Sequence, residues 1–164
     1  MPDRTSLTVR AADLDGPDAT AVGRLVGDYL QQTEREKAEH LRGAAPTGDL
    51  PAAYRREVED PRTAFAACEV FVAEVDAAPV GVAIVKHDGD AVEIKRLWAD
   101  PSARGRGVGS ALLDTVLADR AGVVRLSVWE WRHGAARLYV ARGFTQVPSW
   151  DARDQLVCME WRRP

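Results

Sequence analysis

A chain of 164 residues, 46% apolar and 29% charged, has the size and composition of one globular domain (residues 1–164) that needs no covalent staple. Its formal net charge of −3 gives no electrostatic footing for nucleic acid and mildly favours cationic partners such as amines. Cys68 and Cys158, with the scattered His40, His87 and His133, match no metal-ligand spacing, so no metal is expected.

The chain opens without the apolar core of a secretory leader, and no apolar run approaches the roughly 18 residues of a membrane span. A cytoplasmic protein without a membrane partner is therefore expected. Leu7–Arg10 reads as a short first strand. From Ala19 to about His40, the residues Val22, Leu25, Val26, Tyr29 and Leu30 form the i, i+3, i+4 stripe of a helix. Residues 44–49 carry loop-forming residues, and Pro51–Asp60 predicts a second, short helix. Cys68–Ala73 and Pro79–Val85 are strands that Asp76-Ala77-Ala78 joins into an antiparallel hairpin, and His87–Asp90 turns into a third, Val92–Trp98. A crossover helix over Gly109–Arg120 leads to a strand at Val123–Val128, a helix at Gly134–Arg142, and final strands at Phe144–Val147 and Leu156–Trp161. The order β-α-α-β-β-β-α-β-α-β-β predicts the α/β (α+β) class, a mixed sheet flanked by helices.

Between the strand at 92–98 and the crossover helix lies Ala103-Arg104-Gly105-Arg106-Gly107-Val108-Gly109-Ser110. A glycine-rich loop entering a helix aims several backbone N–H groups at one place, where the helix dipole adds positive potential. Such a loop binds phosphate oxygens without any particular side chain. No Gly-Lys-Ser/Thr occurs, which excludes a P-loop. Gly105-x-Gly107-x-x-Ser110, with Glu130 about 20 residues on, imitates a dinucleotide fingerprint. Only about 55 residues follow Gly109, too few for the rest of a doubly wound sheet.

Arg104-x-x-Gly107-x-Gly109 resembles the Gln/Arg-x-x-Gly-x-Gly/Ala signature of the GNAT superfamily of acyl-coenzyme A-dependent N-acyltransferases. Glu93–Leu113 is similar to that family's fourth strand, pyrophosphate loop and third helix. Ala135-x-x-Leu138-Tyr139-x-x-x-Gly143-Phe144 is similar to its next helix and strand. The resemblance spans roughly Cys68 to Trp161. It implies a mostly antiparallel sheet of six to seven strands with helices on both faces. It also implies acetyl-coenzyme A as co-substrate and a primary amine of a small molecule or peptide as acceptor. Direct attack would proceed in a ternary complex.

The same resemblance distributes roles. The loop Arg104, Gly105, Arg106, Gly107, Val108, Gly109 and Ser110 would grip the pyrophosphate. A bulge in the fourth strand would place Leu97, Trp98 and Ala99 along the pantetheine arm, with the backbone N–H of Leu97 or Trp98 polarising the thioester. Glu93 is the candidate general base, with Glu130 and Glu69 behind it, although pairing with Lys95 would give it a structural role instead. Tyr139 is the candidate proton donor to the leaving thiolate; Ala135, Leu138, Tyr139 and Arg142 also fit a core stripe. Arg132 stands where the family often has asparagine, and could reach the coenzyme's 3′-phosphate, a substrate carboxylate or solvent. Trp129, Trp131, Trp150 and Trp161 crowd the C-terminal third, and aromatic walls with an acid would suit a small cationic amine. Another acyl-coenzyme A donor, or a non-catalytic acyl-coenzyme A-binding module, fits the same motifs. The apolar final strands would suit a strand-edge homodimer.

Overall fold

The uninterrupted apolar run Val80–Val85 requires a strand covered on both faces, and the fold is built around it. The computed structural model describes residues 6–41 and 50–164. Its strands are β1 (Leu7–Ala11), β2 (Cys68–Val75), β3 (Ala78–Asp88), β4 (Ala91–Ala99), β5 (Val123–Trp129), β6 (Thr145–Val147) and β7 (Leu156–Arg162). They form one sheet in the order β1-β2-β3-β4-β5-β7-β6, in which only β4 and β5 run parallel. The helices are α1 (Asp18–His40), α2 (Ala52–Glu59), α3 (Pro61–Ala64), α4 (Val108–Leu117) and α5 (His133–Ala141).

Alternation along β3 supplies both cores. Ala83 and Val85 face α4, packed with Leu112, Leu113 and Val116, while Val82 and Ile84 face α1, packed with Val22, Leu25 and Val26. The parallel step from β4 to β5 is bridged by α4, as a parallel pair demands.

The observed element order is the expected one with a short helix added. Pro61 opens α3 instead of ending α2, because proline at a first helical position loses no hydrogen bond and Asp60 accepts from the Thr63 N–H at 3.3 Å. β3 runs on to Asp88, since Lys86 and His87 continue their pairing with β4, and the turn is reduced to Gly89 and Asp90. β7 lies inside the sheet, so the edge of this half is the three-residue β6. The loop expected at 44–49 falls outside the described residues. No described helix is long and apolar enough to cross a membrane.

Two contacts fix the α1 layer. Asp18, buried at the first turn of α1, accepts from Arg10 Nη1 of β1 at 2.6 Å and from the Asp13 N–H at 2.7 Å. Further along α1, Gly23 lies against α2, where a Cβ would stand 2.5 Å from the Val58 carbonyl oxygen.

Gly23→Ala is therefore expected to cost about 1–3 kcal/mol of stability in urea unfolding, because backbone and not a movable side chain blocks the methyl. The Arg10 guanidinium holds the Asp18 carboxyl down at about 2. This folded value lies below the ordinary value of about 3.9, so the stabilisation is complete above about pH 4 and is lost as pH falls toward 2. Urea midpoints measured across that window should fall for the wild type and show a flatter acid limb in Asp18→Asn.

Candidate active site

β4 and β5 pair from Ala91 with Val123 to Ile94 with Leu126, and no further. Beyond that point β4 stays on β3 as far as Ala99, and β5 stays on β7 as far as Trp129. The sheet thus divides into two sub-sheets with an open wedge between them. A bulge marks the division: Val85 pairs Ile94 but Ile84 pairs Arg96, which leaves Lys95 as the extra residue. The extra residue lies two positions before Leu97, the first of the residues that the sequence assigned to the coenzyme arm. Because of the extra residue, Lys95 and Arg96 both turn toward the α1–α2 face, where both meet Glu57.

Backbone alternation identifies which donors face the wedge. The Asp100 N–H donates to the Val80 carbonyl at 2.7 Å, on the β3 side. Counting back along an antiparallel ladder, Trp98 and Arg96 also point to β3, whereas Leu97 and Ala99 present their N–H groups to the wedge. Of the two candidate donors, Leu97 turns its N–H to the wedge, while that of Trp98 is turned to β3 and its side chain lines the site. That indole is buried between Tyr29, edge-on at 5.9 Å, and the Arg104 guanidinium, 4.8 Å above the ring. The Trp98 Nε1 donor has no hydrogen-bond partner among the described residues.

A cavity of about 780 Å³ runs from the wedge to the N-terminus of α4. Gly105 and Gly107 have φ of 80° and 78°, and the space above their Cα atoms is open for at least 4 Å. Here glycine is required by the backbone conformation and by the approach it leaves free. The first bond of α4 runs from the Ala111 N–H to the Gly107 carbonyl at 2.9 Å. The amides of Val108, Gly109 and Ser110 are thus first-turn donors without intrahelical partners. Every residue that the sequence assigned to the coenzyme lines this cavity except Arg106, which is exposed outside it.

A second cavity, of about 710 Å³, opens on the α1–α2 side and holds Glu93, Ser127, Tyr29, Tyr54 and Trp129 in its walls. The two cavities share Leu97, Arg132, Ala135 and Tyr139. Tyr139 is the one buried residue of α5; it packs in the core, with Ala135 and Leu138 against that core, and it also lines both cavities. Burial pushes its hydroxyl well above the usual phenol pKa, Tyr29 adds to the shift, and Arg132 pulls weakly the other way. The hydroxyl therefore keeps its proton throughout the neutral range.

The charges of the second cavity are largely satisfied by one another. Glu93 makes no ion pair among the described residues, because Lys95 is taken by Glu57 at 3.1 Å. Arg132 turns to α1, where Nε donates to Glu36 at 2.8 Å and Nη2 to Thr33 Oγ1 at 2.7 Å. Burial opposes the charge of Glu36, yet Arg132, Gln32 and Trp131 together outweigh it and hold the carboxyl below its ordinary value. The aromatic faces are capped by the protein's own guanidinium groups: Arg96 over Tyr29 and Tyr54, Arg132 over Tyr29, Arg153 over Trp129. An incoming amine meets donor edges here more than bare rings. Trp131, stacked between His40 and Trp129, lines the first cavity; Trp150 is exposed, and Trp161 belongs to the core. Glu69 is bound to Arg120 at 2.8 Å, and Glu130 is exposed and lines neither cavity. Burial raises the pKa of the Cys68 thiol, which opposes a nucleophilic role.

Comparison with known proteins finds that this chain is similar to acetyltransferases. A family model described as an acetyltransferase (GNAT) domain matches residues 66–146. A mycothiol acetyltransferase of Clavibacter michiganensis is 31% identical over 127 residues, 74% of this chain and 38% of that protein. The chain thus spans about two fifths of the length of that curated relative. Among solved structures, the histone acetyltransferase HPA2 and related acetyltransferase of Corynebacterium glutamicum superposes with a TM-score of 0.70 at 22% identity, covering 97% of each chain. The PaiA N-acetyltransferase of Thermoplasma acidophilum, in complex with coenzyme A, gives 0.68 at 16% identity, covering 96% of this chain and 99% of the other.

Replacing Gly107 by valine puts a branched side chain at positive φ and into the open space of the loop. Calorimetric titration with coenzyme A is expected to show affinity reduced about tenfold or more, with the fold retained.

Proposed function

The chain belongs to the GNAT superfamily of acyltransferases, and on that premise we propose that it transfers the acetyl group of acetyl-coenzyme A to a primary amine by direct attack in a ternary complex. The observation that carries this reading is the meeting of two cavities at the wedge between β4 and β5. One ends on the amide cradle of α4 and the other on Glu93. The cradle fits a pyrophosphate, since its donors are backbone N–H groups left open by two left-handed glycines. Leu97 offers its N–H where negative charge develops on the thioester oxygen.

In the proposed reaction the amine nitrogen forms a bond to the acyl carbon as the carbon–sulfur bond breaks. The amine proton passes to Glu93, directly or through water, and the thiolate takes the Tyr139 proton, so amide and free thiol leave as neutral products. The position of Tyr139 in the walls of both cavities supports this role. Likeness to a mycothiol acetyltransferase supports a small molecule over a protein as acceptor.

Thiol release from acetyl-coenzyme A, followed across a panel of small amines, tests the reading. Tyr139→Phe should lower kcat about a hundredfold while coenzyme A affinity changes by no more than about threefold. Glu93→Gln should lower kcat with the coenzyme KM unchanged. Faster release from propionyl- or succinyl-coenzyme A would reassign the donor. Tight coenzyme binding without turnover of any amine would favour a binding module.

A further inference from the structure

α2 is an unusual wall for a substrate cavity, because its one buried residue is a carboxylate, Glu57. The Glu57 side chain is only 8% exposed, and it faces the point in β4 where the ladder slips. Its Oε1 lies 3.1 Å from Lys95 Nζ and 3.2 Å from Arg96 Nη2, and its Oε2 accepts from Arg96 Nε at 3.3 Å. Arg96 then closes the circuit by donating from Nη1 to the carbonyl of Lys95 itself, at 3.0 Å. That carbonyl belongs to the extra residue of the bulge, which has no counterpart on β3.

These contacts oppose the two costs of the distortion. An inserted residue leaves backbone polar groups without their ladder partners. Two consecutive cations on one face repel each other unless an anion lies between them. Glu57 supplies the anion and fixes the guanidinium that satisfies the carbonyl. Two residues further on, Leu97 presents its N–H to the wedge, so the aim of that donor depends on the bulge. Resting on the acyltransferase reading above, we propose that Glu57 is a positioning residue: acting through Lys95 and Arg96, it holds the β4 bulge in the form that aims the Leu97 N–H at the thioester carbonyl.

Its effect should appear at the carbonyl and not in the coenzyme grip, which lies at the far end of the cavity. The test is the ¹³C chemical shift of acetyl-coenzyme A labelled at the thioester carbonyl, free and bound, beside steady-state kinetics and thermal melts. The wild type should move the signal downfield on binding. Glu57→Gln, which keeps the size and removes the charge, should lose most of that displacement and about tenfold or more in kcat, while coenzyme A affinity stays within about threefold. Arg96→Lys keeps a cation but loses the second bond to Glu57 and the bond to the Lys95 carbonyl. It should reproduce the loss, and it serves in place of Glu57→Gln if that variant does not fold. Wild-type displacement and kcat in the folded variant would overturn the proposal and leave Glu57 as a tether for α2 alone. If the wild type turned over but showed no displacement on binding, this proposal alone would fall; if it turned over no amine, the acyltransferase reading would fall and this proposal with it.

Discussion

The site exists because one ladder stops. Past Ile94 and Leu126, β4 and β5 stay bound to their outer neighbours and release each other. Had the parallel ladder continued, the Leu97 and Ala99 amides would be spent on β5, and the coenzyme arm would have no strand edge to lie against. Ending it inside a sheet is costly, since unpaired backbone groups away from water lose the worth of a hydrogen bond each. The wedge is therefore an interior edge whose donors remain open to a substrate. The neighbouring elements answer to it: α4 presents its amides at one end, α1 and α2 form the wall at the other, and Tyr139 stands where the two spaces join.

Charge in this region is organised locally. Glu57 takes Lys95 and Arg96, Glu36 takes Arg132, and Asp151 takes Arg153. Each guanidinium so held also covers an aromatic ring. Glu93 makes none of these pairs; Arg56 and Asp60, which line the same cavity, likewise make no ion pair among the described residues.

Much of this architecture is legible in the amino-acid order. Val80–Val85 reads as a doubly covered strand because nothing in it tolerates water, and Gly105 and Gly107 mark backbone that an L side chain adopts only under strain. The bulge is less legible. Lys95 and Arg96 are neighbours of like character, so shifting the alternation by one residue changes nothing in the pattern of polar and apolar positions. Glu57 is hidden for another reason: its partners lie far along the chain, and beside Arg55, Arg56 and Glu59 a glutamate looks like one more solvated residue. Arg132 likewise has its partners on α1, and only the folded chain brings them together. Tyr139 fits a core stripe and a cavity wall alike, and the folded chain has it in both settings.

The charged tie between α2 and β4 has a consequence for how this sequence can drift. An apolar contact, such as the one Val58 of α2 makes with the core, tolerates exchange of one aliphatic residue for another of similar volume. The charged cluster does not: losing Glu57 leaves Arg96 without its anion, and losing Arg96 leaves Glu57 with Lys95 alone. Glu57 and Arg96 are therefore expected to change together or stay as they are, although one lies on a helix and the other on a strand. The wall of the second cavity is thereby tied to the inheritance of the strand that also borders the first.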